Sequence, residues 1–331
     1  MEIDRKALKH NYKVLRGLIP KSVKYMSVVK SNAYGHGLID FSLEMEKLGA
    51  DWFGVDSIVE AIALREAGIT KPILVLGYTL PEMLEKAIEH NVSIAVSTFE
   101  LLDAIKIIKH SVFNNKSKIK VHIKVDTGMH RQGFLSSDME KVTEKLKSLE
   151  SKIEVEGLFT HFAGVKHPEF SHLTGKQLQS FKLWIKSFRD AGFSPLVHAS
   201  ASAGAFALGD AHFDMVRFGI SQYGLWPSEE IKKDFGRKIN LEPILEWKTL
   251  IGEIKNVPKG ERVGYDFTEK LSRNSTIAIC PIGYWHGYPR NLSSIGFVLV
   301  HSKRANSSAQ IYNIRYIVYY GKCCIFYDFR I

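Results

Sequence analysis

The sequence predicts a (β/α)8 barrel followed by a smaller, mainly β domain. Three observations carry this expectation. Short apolar runs and amphipathic stretches alternate through about the first 235 residues, a βα pattern. The alternation repeats eight times, the count of a TIM barrel. After Trp226-Pro227 the texture changes to β-rich runs between turn residues. An open doubly wound sheet is the competing architecture, but no Gly-x-Gly-x-x-Gly follows the first strand.

Taken in order, Leu8, Tyr12, Leu15 and Ile19 stand close to helical spacing over Asp4–Ile19. Candidate strands follow at Lys24–Val29, Asp51–Val55, Ile73–Leu76, Val92–Val96, Lys118–Val125, Val155–Phe162, Leu196–Ala199 and Met215–Phe218. Helical stretches separate nearly all of them, at Ser57–Ala67, Pro81–His90, Thr98–His110, Asp138–Leu149 and Gly175–Asp190. Ser228–Asn240 is polar and charged and reads as a linker, which divides the chain into a barrel over 1–235 and a β domain over 236–331. In the latter the β runs are Trp247–Ile254, Arg262–Tyr265, Ser275–Ile279 and Gly296–His301, punctuated by Pro258-Lys259-Gly260.

Composition narrows the class. A chain of 331 residues with 45% apolar content can bury a large core. No run of about 18 apolar residues suggests a spanning helix, and the charged start Met1-Glu2-Ile3-Asp4-Arg5-Lys6 reads as the approach to a helix rather than a signal peptide. Cys280, Cys323 and Cys324 make neither a disulfide framework nor a metal-ligand spacing. A cytoplasmic protein without a metal is expected. The net charge of +10 lacks the clustered basic motif of a nucleic-acid binder, and anionic substrate or cofactor groups give some of it a use.

A barrel gathers its active site at the carboxyl ends of its strands. Lys30 closes the first strand, and lysine forms Schiff bases when burial lowers its pKa. Asp126 to Arg131 follow the fifth, His161 ends the sixth, His198 and Ser202 close the seventh, and Arg217 closes the eighth. The loops after strands seven and eight often bind phosphate in such barrels. Here they offer Ser202 and the Gly219-Ile220 backbone, with a hydroxyl from Tyr34. Ser202 has a second reading, as the N-cap of a helix over Ala203–Leu208, and the residues alone leave both open.

The run Val28-Val29-Lys30-Ser31-Asn32-Ala33-Tyr34-Gly35-His36-Gly37 closely resembles the pyridoxal-phosphate lysine motif of alanine racemases. Further blocks match that family: Lys124 to Arg131, Thr160-His161-Phe162-Ala163, Phe213 to Ile220, Val263-Gly264-Tyr265 and Pro281-Ile282-Gly283-Tyr284. The resemblance runs from about Glu2 to about Arg304 and implies a barrel plus β domain, in agreement with the reading above. It implies that Lys30 holds pyridoxal 5'-phosphate as a Schiff base, that Tyr34, Ser202, Gly219 and Ile220 hold its phosphate, and that Arg217 faces the pyridine nitrogen. His161 and His198 resemble the ring-side and Arg217-supporting histidines. Arg131 resembles the arginine at the cofactor's phenolic oxygen, which also helps position the substrate carboxylate. Lys124 matches a position that is carbamylated in some members. The implied reaction interconverts L- and D-alanine, for peptidoglycan, by two-base transfer of the α-proton: Lys30 serves one face and Tyr265 the other. Tyr265 and the substrate-binding Tyr284 are lent by the partner of a homodimer with shared sites.

The pattern departs from the family at Trp285-His286-Gly287-Tyr288-Pro289-Arg290 and, more deeply, after Arg304. The family's Met-Asp loop is missing, since Asp214-Met215 and Asp138-Met139 are reversed and elsewhere. From Lys303 on, five basic residues stand against Asp328 alone. These departures point to a truncated or frame-altered tail and an incomplete β domain. The alternative function is therefore a non-catalytic pyridoxal-phosphate-binding protein or an inactive racemase remnant. A related-fold decarboxylase is disfavoured by Arg217, since those enzymes place a carboxylate at the pyridine nitrogen.

Overall fold

The structure is a computed structural model and describes residues 1–108, 118–292, 296–300, 303–306 and 323–325. By contacts it divides into two compact units, Arg5–Pro243 and Met1–Asp4 with Ile244–Ile331. The division drawn from the sequence, at 235/236, lies inside the first of these.

Strand β1, Glu2–Ile3, belongs to the second unit. The first unit holds β2 Lys24–Val28, β3 Trp52–Val55, β4 Ile73–Val75, β5 Ser93–Val96, β6 Ile119–Lys124, β7 Ile153–Phe159, β8 Leu196–His198 and β9 Met215–Phe218. They pair in parallel in the order β8-β7-β6-β5-β4-β3-β2-β9. Past β8 the circle closes: Ala201 bridges Arg217, and Arg217 N–H donates to Ser200 O at 3.0 Å. β3, β4, β5 and β9 are buried along their whole length, and most of them read as near-continuous apolar runs, as parallel barrel strands do. Parallel neighbours need crossover connections, here carried by helices between the strands. The helices follow the sequence expectation closely, at Ile58–Glu66, Leu84–Glu89, Phe99–Ile107, Met139–Ser148 and Ser171–Asp190.

The expected linker is a correction. Glu229–Phe235 is a helix of the barrel unit: Ser228 Oγ accepts from Ile231 N–H at 3.3 Å, Glu229 and Glu230 fill the first turn, Lys232 and Lys233 the last, and Ile231 is buried. Its polarity is that of a capped, dipole-matched helix with one anchored face.

In the second unit β1 pairs antiparallel with β10, Leu245–Thr249. The remaining strands are β11 Glu253–Val257, β12 Arg262–Val263, β13 Glu269–Lys270, β14 Ser275–Ile279, β15 Phe297–Val300, β16 Lys303–Asn306 and β17 Cys323–Ile325. Their sheets run β1-β10-β17-β15-β16, β11-β14 and β12-β13. Two small cores serve them, around Ala278, Cys280, Ile282, Tyr288 and Val298, and around Val263, Leu271 and Ile277. The run read as one strand over Trp247–Ile254 is two, β10 and β11, parted at Leu250–Gly252. Of the divergent tail, Cys323–Ile325 lies between β10 and β15; the rest of it after Asn306, where the missing Met-Asp loop was expected, lies outside the described residues. No helix among the described residues is long and apolar enough to cross a membrane.

Candidate active site

Strand β2 ends at Val28, and the chain then turns with the wrong hand for L-residues. Ser31, Asn32, Ala33 and Tyr34 all have φ between +52° and +56°. A left-handed turn costs roughly 1–2 kcal/mol per non-glycine residue, so neighbours must over-determine it. Asn32 does much of this: its N–H donates to Glu60 Oε1 at 3.0 Å and its Oδ1 accepts from Leu38 N–H at 2.8 Å. Glu60 Oε2 also accepts from Asp56 N–H at 2.9 Å, joining the loops after β2 and β3. Lys30 opens this turn, with Nζ 3.3 Å from Asp56 Oδ1. Its side chain is half-exposed (39%) rather than buried as the Schiff-base argument expected.

Arg217, on β9, is buried and fully engaged. Its Nη1 donates to His198 Nδ1 at 2.9 Å; its Nη2 faces Thr160 O at 2.9 Å, Ala199 O at 2.7 Å and His161 Nδ1 at 3.1 Å. Burial and Arg131 push its pKa down to about 9, which leaves it charged at neutral pH. His161 is lowered to about 3 by burial and then by Arg217, Arg131, Lys124 and Lys30, so it stays a neutral acceptor. Lys124, on β6, donates to Gln132 Oε1 at 2.7 Å; burial, then Arg131, Arg217 and Lys30, lower it to about 8. Four cations thus act on one another at this mouth, an arrangement that favours an anion.

A cradle for that anion sits in the loops after β8 and β9. Ser202 Oγ does not cap its own helix, Ser202–Ala207; it accepts from Gly219 N–H at 3.1 Å and from Ser221 N–H at 3.4 Å. A Cβ on Gly219 would lie 2.9 Å from the Tyr34 hydroxyl, so only glycine leaves that space open. Tyr34 packs against Tyr223 at 4.9 Å between ring centres with the rings tilted, and burial raises its phenol. Ser221 Oγ is buried without a partner among the described residues. The Tyr34 and Ser202 hydroxyls and the orphaned Ser221 Oγ, grouped around a glycine, suit a phosphate oxygen. Ile220 follows Gly219 in the same loop.

Arg131 is set by a different device. Burial opposes ionisation of Asp126, but its Oδ1 accepts from Gly128, Met129 and His130 N–H at 2.8, 3.0 and 3.1 Å, and its Oδ2 from Arg131 N–H at 3.1 Å; these bonds hold the carboxyl below its usual range. The loop after β6 is wound on this one carboxylate, with Arg131 exposed at its end. Lys30, Tyr34, Arg131, His161, His198, Ser202, Arg217, Gly219 and Ile220 all belong to the barrel unit; Tyr265 and Tyr284 belong to the β unit, where they are 60% and 45% exposed.

Sequence reasoning missed His122 and Glu156. His122 Nδ1 lies 2.9 Å from His198 Nε2, and His122 Nε2 lies 3.3 Å from Glu156 Oε2, which also meets Ser93 Oγ. The available signal was Glu156-Gly157 inside an apolar strand, since a strand glycine often marks a bulge.

Fold and site define a barrel enzyme with its polar groups gathered at the strand ends and an anion cradle in the last two loops. The comparisons give the family. The profile of the alanine racemase N-terminal domain matches residues 3–227 and that of the alanine racemase C-terminal domain residues 244–312. Alanine racemase 1 of Oceanobacillus iheyensis is 38% identical over 303 residues, 91% of this chain and 78% of the relative. The alanine racemase of Methanococcus maripaludis is 39% identical over 306 residues, 92% and 79%. Among solved structures, alanine racemase from Bacillus anthracis with bound L-Ala-P superposes with a TM-score of 0.87 at 34% identity, covering 98% of this chain and 84% of that one. Alanine racemase from Clostridium difficile 630 gives 0.90 at 31%, covering 100% and 87%. The chain belongs to the alanine racemase family.

Proposed function

We propose that this chain interconverts L- and D-alanine, using pyridoxal 5'-phosphate seated at the barrel mouth. The observation that carries the reading is the convergence of Lys30, buried Arg217 and the Ser202–Gly219–Tyr34 cradle in one unit of a chain similar to alanine racemases over nine-tenths of its length. The bound cofactor would supply an electron sink that makes the amino acid's α-hydrogen acidic.

Lys30 would hold the cofactor and carry the proton on one face of the substrate's α-carbon. Its ion pair with Asp56 joins two half-exposed groups and is weak enough to exchange. Tyr34, Ser202 and the Gly219-Ile220 backbone take the phosphate. Arg217 would face the ring nitrogen with a group that holds its own proton at neutral pH, and so would restrain the electron sink the cofactor supplies. His161 accepts from Arg217 and His198 supports it. Arg131 would meet the cofactor's phenolic oxygen and help position the substrate carboxylate. Tyr265 carries the proton on the opposite face, lent with Tyr284 by a second copy of the chain, so a cytoplasmic homodimer is the working unit. The product would serve peptidoglycan, and neither nucleic acid nor membrane is a partner. A non-catalytic remnant is not favoured by relatives named as racemases along most of the chain.

Purified chain incubated with pyridoxal phosphate and L-alanine in deuterated water tests this. The expected result is α-deuterated alanine in both enantiomers. Bound cofactor with no exchange would overturn the racemase reading.

A further inference from the structure

The hydrogen bonds around Arg217 continue inward. Guanidinium groups only donate, so His198 Nδ1 must accept at 2.9 Å. The proton of neutral His198 is then on Nε2, which donates to His122 Nδ1 at 2.9 Å. His122 in turn carries its proton on Nε2 and donates to Glu156 Oε2 at 3.3 Å. An ionised carboxylate only accepts, and Ser93 Oγ donates to the same oxygen. With a pure donor at one end and a pure acceptor at the other, one arrangement of ring protons satisfies every link. Burial, the largest influence on both rings, lowers His122 and His198 and keeps them neutral, as the arrangement requires.

The backbone is shaped around this chain of bonds. The β6–β7 register slips between Val121 and His122: Val121 faces Val155, but His122 faces Gly157, which leaves Glu156 as the extra residue of a bulge. Bulges re-aim side chains. A Cβ at Gly157 would stand 2.0 Å from His122 Nδ1, so the ring occupies the space that any other residue would fill. Trp52 covers His122 edge-on at 5.2 Å, and Phe159 stacks on His198 at 4.7 Å.

We propose that His122 and Glu156 are positioning residues for Arg217: Glu156, as a fixed acceptor, locks the tautomers of both histidines so that His198 always presents a bare Nδ1 to the guanidinium. This rests on the reading that Arg217 faces the cofactor ring. Without the lock, His198 could turn its proton toward Arg217, two donors would meet, and the guanidinium would shift.

The test has two parts. Long-range proton–nitrogen spectra of the cofactor-free protein, labelled at histidine nitrogen, should show His122 and His198 both protonated at Nε2 alone. A proton on either Nδ1 overturns the proposal whether or not the chain is a racemase. Glu156→Gln and Glu156→Met then keep the volume, with and without the acceptor. Gln should hold kcat within about twofold, whereas Met should lower it about tenfold at unchanged KM and leave His198 in mixed tautomers, a loss typical of removing an orienting partner. Met equal to wild type in kcat and tautomers, or Gln as impaired as Met, overturns the proposal while the racemase reading stands. If Glu156→Met does not fold, the wild-type spectra still decide.

Discussion

The barrel and the β unit present their chemistry in opposite ways. In the barrel, Arg217, His198, His122 and Lys124 are buried, and each meets a partner at hydrogen-bond distance. In the β unit, Tyr265 and Tyr284 are 60% and 45% exposed, beside Phe267 at 66% and Trp285 at 83%. Burying a polar group is costly unless it is paired, so one chain suffices to preorganise the barrel site. The contrast teaches that the barrel half of the proposed site is preorganised by buried, paired groups, while the two tyrosines of the β unit stand at its surface.

The sharpest way to break this comparison is Lys30→Ala. Racemisation should fall by about 10⁴-fold or more, since losing a nucleophile removes a whole route. Visible absorbance from tightly held cofactor should also disappear on dialysis. Activity surviving within tenfold would mean that the barrel half does not carry the chemistry.

Tyr265→Phe probes the other half. Loss of one general acid–base group should cost roughly 10²–10⁴-fold, with α-deuterium exchange retained from one enantiomer only. Mixing this variant with Lys30→Ala should restore about a quarter of the activity, since after random exchange half of the dimers are heterodimers and each of these carries one intact site of its two. No recovery after subunit exchange would place Tyr265 outside a shared site.

The two regions also differed in how far they could be read. The barrel strands were legible because each is a short apolar run bounded by turn residues, and Lys30, His161 and Arg217 stand at strand ends where polar residues are conspicuous. His122 was not, because one histidine in Ile119–Lys124 looks like an ordinary strand residue until the bulge at Glu156 pairs it. The left-handed turn over Ser31–Tyr34 left little local trace either, since only Asn32 among serine, asparagine, alanine and tyrosine is of a type that favours positive φ. In the β unit the exchange of Glu2–Ile3 with Leu245–Glu246 joins residues far apart in sequence, and strands of two residues lack the length for alternation to show.

Packing sharpens the comparison next. Gly157→Ala should destabilise the protein by about 3 kcal/mol, because the new methyl group strikes the His122 ring in a site that cannot relax without breaking the bonds to His198. In the β unit, a Cβ at Gly252 would only touch Ile279 O at 3.5 Å, so Gly252→Ala should shift stability by about 0.5 kcal/mol or less. Denaturant midpoints of the two variants measure the difference; equal shifts would show that the barrel interior is no more tightly specified than the β unit.

The last expected effect is on acid stability. His161 is held at about 3 against an ordinary value of 6.5, and His122 and His198 are lowered as well; all three lie in the barrel unit. Between these folded values and 6.5 the unfolded chain binds protons that the folded barrel refuses, so stability rises with pH across that window and is lost on acidification through it. Glu156 and Asp126, both held below the usual carboxylate range, act in the same direction at lower pH, where their folded-state charges are neutralised. Amide exchange followed from pH 6 to pH 4 should therefore show protection falling in the barrel strands ahead of β11 and β14. His161→Gln should remove roughly 1–2 kcal/mol of the pH-dependent loss, after allowance for its partial contact with solvent. If protection falls together in both units, or if the variant keeps the full slope, the barrel's acid sensitivity does not arise from its neutral histidines, and the division between a self-contained polar interior and an exposed one loses its electrostatic basis.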